Sequence, residues 1–282
     1  MPITGRARLA GVVGWPVAHS LSPAMHNAAF QALGLDWVYA PFAVPPERLA
    51  DAVRGLAALG FVGANFTIPH KQTVMDLVDE VSPAARAIGA ANTLVFGDRT
   101  TADNTDWSGF LRSLRDVGCD PAGQRCLVLG AGGAARAVVY ALASVGADVV
   151  VLNRSAERSA ALLADLGQLF PAARLRSLPL AALADEAAAH PYLVVNTTSL
   201  GMVPRVETSP WPSDVPIPAD TTVYDLVYNP LATRFLREAK ASGARAVDGL
   251  GMLVHQGAIA FETWTGVAAP TDVMYKACLA YL

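Results

Sequence analysis

The segment Asn65-Phe66-Thr67-Ile68-Pro69-His70-Lys71 gathers an amide, a hydroxyl and an amine at one strand end. Asn65 and Thr67 alternate onto one face of an extended strand, and Lys71 follows a turn fixed by proline. A lysine alone usually belongs to the solvated surface. Clustered with Asn65 and Thr67, Lys71 becomes a candidate proton donor or acceptor. Asn92-Thr93 adds a second amide, and Asp106 adds a carboxylate at a helix start, where a structural cap and a chemical role fit equally well. Ser20 and Ser22 stand two apart in an extended segment, so both hydroxyls point the same way and can hold a small polar group such as a carboxylate. Ser22 also suits the N-cap of the helix that Pro23 begins, a duty that does not fall to Ser20. Farther along, Tyr228 follows a strand and offers a phenol. Gln256 lies one turn below Met252 in the helix opened by Gly249-Leu250-Gly251, and its amide can bridge two hydroxyls.

A different chemistry is written at Gly130-Ala131-Gly132-Gly133-Ala134-Ala135, between the apolar strand Cys126–Leu129 and an Ala-rich helix. A Gly-rich turn there lets backbone N–H groups approach a pyrophosphate seated on the helix N-terminus. The spacing is the G-x-G-x-x-A variant of the dinucleotide fingerprint. The next strand ends at Asn153-Arg154, where an NAD site carries Asp or Glu, and Arg158 follows four residues on. Helical spacing puts Arg154 and Arg158 on one face, suited to a 2′-phosphate. This unit reads as NADP-binding, and NADP points to redox chemistry.

Strand-like and helix-like segments alternate along the chain, as an α/β architecture requires. Strands are expected at Leu9–Trp15, Trp37–Val44, Phe61–Thr67 and Ala91–Phe96, and helices at Pro23–Leu33, Pro46–Leu59 and Trp107–Val117. Val203–Ala219 holds five prolines and reads as a loop. The domain reading is a substrate domain of residues 1–106 completed by 249–282, and a Rossmann-type NADP-binding domain of residues 107–248. The active site is expected in the cleft between them.

At 282 residues the chain has room for two domains. Hydrophobic content of 53% against 16% charged residues fits a well-buried enzyme. A net charge of -3 and the lack of a basic stripe argue against a nucleic-acid partner. Three scattered cysteines argue against a disulfide framework, and His19, His26 and His70 lack partners at ligand spacing, so no metal is expected. The first ten residues carry no apolar stretch fit for a signal peptide, and no stretch approaches a membrane span. The cytoplasm is the expected compartment, a small molecule is the expected partner, and a homodimer is left open.

Read together, Ser20-Leu21-Ser22-Pro23-Ala24-Met25-His26-Asn27, Asn65–Lys71, Ala91-Asn92-Thr93, Asn104-Thr105-Asp106-Trp107-Ser108-Gly109-Phe110, the Gly-rich turn, Asn153-Arg154-Ser155, Asp225–Pro230 and Asp248–Gln256 resemble the shikimate dehydrogenase family, in family order and over nearly the whole chain. Phe66 and Ala91 stand where the family commonly has valine, and neither position is polar. The resemblance implies reversible, NADPH-dependent reduction of 3-dehydroshikimate to shikimate, a step towards chorismate and the aromatic amino acids. It implies Lys71 and Asp106 as the catalytic pair, with Ser20, Ser22 and Tyr228 on the substrate carboxylate. Asn65, Thr67, Lys71, Asn92, Asp106 and Gln256 would surround the ring. The cofactor would be held by Gly130, Ala131, Gly132, Gly133, Ala134, Asn153, Arg154, Ser155, Arg158, Thr198, Leu226, Gly249 and Met252. The nearest rival is a quinate/shikimate dehydrogenase; remoter ones are an aminoshikimate dehydrogenase and a catalytically silent ligand sensor.

Overall fold

Each of two units is built on its own six-stranded sheet in the computed structural model, which describes residues 3–282. Met1 and Pro2, part of the start considered for a leader, lie outside the described residues. The first unit runs to Gly109 and is completed by Val254–Tyr281. Its elements are β1 (Arg8–Gly14), α1 (Ser22–Ala32), β2 (Trp37–Ala43), α2 (Leu49–Ala58), β3 (Gly63–Phe66), β4 (Glu80–Val81), α3 (Pro83–Ile88), β5 (Thr93–Val95) and β6 (Thr101–Asp103). The strand order is β2-β1-β3-β5-β6-β4. β1 runs parallel to both β2 and β3, whereas β5 is antiparallel to its neighbours β3 and β6. Val13, Val53, Phe61, Phe66, Ile88 and Leu94 are buried in this unit.

The chain leaves this unit along α4 (Asp106–Asp116). The second unit holds Phe110–Leu253 together with Leu282. It contains β7 (Arg125–Leu129), α5 (Gly133–Ser144), β8 (Asp148–Asn153), α6 (Ala156–Leu169), β9 (Arg174–Pro179), α7 (Leu183–Ala188), β10 (Leu193–Asn196), β11 (Thr222–Asp225), α8 (Arg234–Ala241) and β12 (Arg245–Val247). The order β12-β11-β10-β7-β8-β9 is parallel throughout. Strands of a parallel sheet covered on both faces read as unbroken apolar runs, which is why Cys126–Leu129 and Val149–Leu152 are wholly buried. α9 (Leu250–Thr265) carries the chain back, and α10 (Thr271–Leu279) packs on α1.

Several sequence expectations shift. The helix expected over Pro46–Leu59 is a 3₁₀ turn, Pro46–Arg48, followed by α2. The strand expected over Phe61–Thr67 ends at Phe66, because the Thr67 carbonyl accepts from His70 N–H at 2.8 Å and starts the turn toward Lys71. The proline-rich stretch has no regular element, but Trp211 is buried, stacks on Phe235 at 5.8 Å and donates from its indole to the Val215 carbonyl at 2.9 Å. No described helix is long and apolar enough to cross a membrane.

Candidate active site

The first unit assembles one buried polar lattice. Lys71 follows the turn after β3 and donates from Nζ to Asp106 Oδ2 at 2.7 Å. The other carboxylate oxygen, Oδ1, accepts from Asn92 Nδ2 at 2.9 Å. Asp106 is the first residue of α4, and its own N–H donates to Asn104 Oδ1 at 3.0 Å. The carboxylate is thus turned to Lys71 and Asn92. Asn92 Oδ1 accepts from Thr105 N–H at 2.7 Å and from the Thr93 hydroxyl at 3.1 Å. Asn92 Nδ2 also reaches Gln256 Oε1 at 3.3 Å, so α9 joins the lattice through Gln256.

Asn65 is buried on β3. Its Nδ2 lies 3.1 Å from the Asn92 carbonyl, which can only accept, so the amide orientation is settled by chemistry. The same nitrogen donates to Thr93 Oγ1 at 3.0 Å, and Asn65 Oδ1 accepts from the Tyr39 phenol at 2.7 Å. Both N–H donors of Asn65 are therefore engaged by protein atoms. Thr67, one residue past the strand, is half-buried. His70 supports the turn: its Nε2 faces the Val44 carbonyl at 2.8 Å, so that nitrogen carries the proton.

The helix-start duty read for Ser22 falls to Ser20. α1 begins at Ser22, the N-cap position falls on Leu21 in helical backbone geometry, and no side chain caps from it. The Ser20 hydroxyl accepts the Ser22 N–H at 3.3 Å, so Ser20 serves the helix start and Ser22 is free of that duty. Because Leu21 already curls into the helix, Ser20 is the residue within reach.

Tyr228, Leu226, Gly249 and Met252 belong to the second unit. A Cβ on Gly249 would overlap the Leu226 carbonyl, so glycine is required to bring these two backbones together. Asp225, at the end of β11, accepts from Asn196 Nδ2 at 2.8 Å, Val227 N–H at 3.0 Å and the Thr233 hydroxyl at 2.7 Å. Burial pushes its carboxyl up to about 6 against those three hydrogen bonds. Asn196 Oδ1 in turn accepts from both the N–H and the hydroxyl of Thr198, at 2.9 and 2.8 Å.

The nucleotide-binding features lie in the same unit. Gly130 has φ +107°, closed to most side chains, and a Cβ there would lie 2.8 Å from Thr197 Oγ1. Gly132 is the N-cap residue of α5, no side chain caps that end, and no acidic residue occupies the first turn. A Cβ on Gly132 or Gly133 would meet no atom within 4 Å, and Ala134 is exposed. Open space before an uncapped helix N-terminus fits a pyrophosphate. Asn153 turns its side chain to the Ser155 carbonyl at 2.9 Å, and Ser155 caps α6 by accepting Arg158 N–H at 3.4 Å. Arg154 therefore precedes the helix, and the shared helical face expected for Arg154 and Arg158 is not formed. Both arginines are exposed, and neither has an ion-pair partner among the described residues. The Glu157 carboxylate accepts from the Ser155 hydroxyl at 3.0 Å.

Tyr39, Thr105 and Asn104 are lattice members that no single-residue signal had marked. All three cysteines are buried and free. Among the described residues no group of His, Cys, Asp or Glu is arranged to hold a metal ion.

Family comparisons bear directly on these features. The profile described as the shikimate dehydrogenase substrate binding domain matches residues 12–94. The one described as shikimate/quinate 5-dehydrogenase matches 115–205, and the shikimate 5'-dehydrogenase C-terminal domain matches 249–279. The shikimate dehydrogenase (NADP(+)) of Moorella thermoacetica is 53% identical over 94% of this chain and 90% of its own length. A crystal structure of shikimate 5-dehydrogenase from Thermus thermophilus, in complex with NADP(H) and shikimate, is 41% identical with a TM-score of 0.89, covering 98% of this chain and 100% of that one. Quinate dehydrogenase from Corynebacterium glutamicum in complex with NAD has a TM-score of 0.90 at 32% identity, covering 97% and 99%. With matches of this extent lying over the same residues that build the lattice and the Gly-rich turn, the chain belongs to the shikimate dehydrogenase family.

Proposed function

We propose that this protein catalyses the reversible reduction of 3-dehydroshikimate to shikimate with NADPH. The observation that carries the reading is the Lys71–Asp106 pair, 2.7 Å apart and set within a lattice of buried amides and hydroxyls. NADPH supplies the hydride when bound. Gly130–Ala134 would hold its pyrophosphate, and Arg154 and Arg158 its 2′-phosphate. Asn153, Ser155, Thr198, Leu226, Gly249 and Met252 are assigned to the rest of the cofactor.

A ketone that gains hydride develops alkoxide charge, and a cation beside it stabilises that charge and can supply the proton. Lys71 is assigned this role. An ammonium group has three hydrogens; one is engaged by Asp106, which leaves others for the substrate oxygen. After transfer Lys71 is a neutral amine and regains its proton from water; the reverse reaction runs the same path backwards. Asp106 orients Lys71 and keeps lone pairs for a ring hydroxyl. Ser20, Ser22 and Tyr228 are assigned to the carboxylate, and Thr67, Asn92 and Gln256 to the ring hydroxyls. Asn65, with both its N–H donors engaged, is assigned to the wall of the site. The names of the relatives favour shikimate with NADP over the quinate alternative.

Lys71→Ala tests this assignment. Turnover of shikimate should fall roughly a hundredfold to ten-thousandfold, the usual range for a lost acid–base group, with the shikimate KM within a few-fold of wild type. A variant within tenfold of the wild-type rate would remove Lys71 from the chemistry.

A further inference from the structure

Three strand ends of the second unit are level with one another. Asn196, the last residue of β10, pairs in register with Leu129 of β7 on one side and with Asp225 of β11 on the other. The segments that follow, Gly130, Thr197-Thr198 and Leu226-Val227, therefore leave the carboxyl edge of one parallel sheet side by side, the edge at which such sheets bind ligands. Register partners share a face, so the side chains of Asn196 and Asp225 meet. Asn196 is fully committed: Nδ2 donates to Asp225 Oδ1 at 2.8 Å and to the Leu200 carbonyl at 3.3 Å, while Oδ1 accepts the N–H and the hydroxyl of Thr198. A carbonyl only accepts, so the direction of this amide is fixed.

Asp225, which the proposed reaction does not use, joins the segments. The oxygen that accepts from Asn196 also accepts Val227 N–H at 3.0 Å, and the other oxygen accepts the Thr233 hydroxyl at 2.7 Å. Thr233 in turn caps α8 by accepting Leu236 N–H at 3.3 Å. Leu226, between Asp225 and Val227, gives its N–H to the Asn196 carbonyl at 3.0 Å, and Gly249 N–H returns to the Val227 carbonyl at 3.2 Å. Asp225 is wholly buried, and its three donors are all neutral. An anion held in this way opposes folding at neutral pH, and its carboxyl is raised accordingly. Asparagine would fill the same space without that cost. A carboxylate differs in one respect: both oxygens accept and neither donates. Asn196, Val227 and Thr233 must all donate inward, so the Asn196 amide cannot turn over and the Thr233 hydroxyl cannot reverse.

We propose that Asp225 is a positioning residue of the cofactor site: its carboxylate holds Thr198, through Asn196, and Leu226, through Val227 N–H, at a fixed spacing on adjacent strand ends. The inference rests on the assignment of Thr198 and Leu226 to NADP(H). Buried behind both segments, Asp225 acts only through them.

The test is Asp225→Asn in the full-length protein, read by calorimetric NADP+ binding, by amide hydrogen exchange in the ligand-free protein and by the KM for shikimate, with Thr198→Ala beside it. Asp225→Asn keeps the size of the side chain and turns one acceptor into a donor. It should raise the NADP+ dissociation constant about fivefold to tenfold, as one or two lost hydrogen bonds would, with the shikimate KM within about twofold of wild type. Exchange at the Thr198 and Val227 amides should quicken about tenfold, while Val194 and Val195 inside β10 keep their rates. A merely structural residue would weaken both substrates together and loosen the strand as well. Should Asp225→Asn not fold, Thr233→Val, which removes one donor in the same volume, should show the same split at about threefold. Overturning results are NADP+ binding within about twofold of wild type, unchanged exchange at Thr198 and Val227, or equal losses for NADP+ and shikimate. Thr198→Ala with unchanged NADP+ binding would instead remove Thr198 from the cofactor site, and this inference with it; a wild-type protein that binds no NADP+ would remove the proposed function.

Discussion

The two units differ in the exposure of the groups assigned to substrate and to phosphate. In the first, Asn65, Asn92, Thr93, Asn104, Thr105 and Asp106 are all buried, and each hydrogen-bonds another member of the set or the local backbone. In the second, the groups assigned to the cofactor's phosphates include the exposed Gly132, Gly133, Ala134, Arg154 and Arg158, at loop and helix starts. A buried lattice is fixed before any ligand arrives, so little ordering cost remains on binding. Exposed arginines and glycines lose freedom when they bind, and the charges of a dinucleotide offset that loss. The difference suits the ligands: a small ring is recognised by the spacing of a few hydroxyl partners, a nucleotide by its phosphates and by backbone amides.

The largest effect that separates the units, after loss of Lys71, is expected from the arginines. Arg154→Ala with Arg158→Ala should raise the NADPH KM roughly tenfold to a hundredfold, about 1.4–2.8 kcal/mol for the pair. The NADH KM should stay within about twofold, and the shikimate KM should not move. Equal losses with NADH would show that the arginines do not read the 2′-phosphate.

A smaller effect contrasts two buried titratable groups. Burial lowers His26 to about 3. An unfolded imidazole binds its proton near 6.5. Between those values the unfolded chain binds more protons, so stability is complete above about 6.5 and falls as pH drops toward 3. Asp225 has the opposite sign: burial raises it from 3.8 to about 6, so its folded state holds a proton that the unfolded state has lost, and stability falls as pH rises through 6. Denaturant unfolding should show wild type losing roughly 2 kcal/mol more than His26→Phe between about pH 6.5 and pH 5. Asp225→Asn should abolish a trend of about 1 kcal/mol in the other direction between about pH 5 and pH 7. Parallel pH curves for wild type and His26→Phe would show that the imidazole is not held neutral.

The same contrast governs what could be read from sequence. The nucleotide unit is local: strand, glycine turn and helix lie side by side in the chain, so Gly130–Ala135 was legible at once. Its error was also local, because α6 starts at Ala156 with Ser155 as its N-cap, which leaves Arg154 outside the helix. Lys71, Asn92 and Asp106 were legible as polar residues at element ends, although their spacing in the chain gave no hint that Asn92 bridges Asp106 and Gln256. Tyr39 carried no signal. An aromatic residue inside a strand reads as core, and only the pairing of β1 with both β2 and β3 brings its hydroxyl to Asn65. The capping duty expected of Ser22 falls to Ser20 because α1 begins one residue away from where the pattern placed it, and helix starts are uncertain by a residue. Short edge elements such as β4, α3 and β9 were missed; in β9 the alternating Arg174 and Arg176 mask the strand.

The most direct measurement is initial turnover of the purified protein in a two-by-two assay, shikimate or quinate with NADP+ or NAD+, followed by absorbance of the reduced nicotinamide. The account predicts strong turnover with shikimate and NADP+, a steep loss when either is exchanged, and losses that multiply when both are. Comparable turnover with quinate or NAD+ would contradict the division of recognition between lattice and arginines, and no turnover with any pair would contradict the enzyme assignment itself.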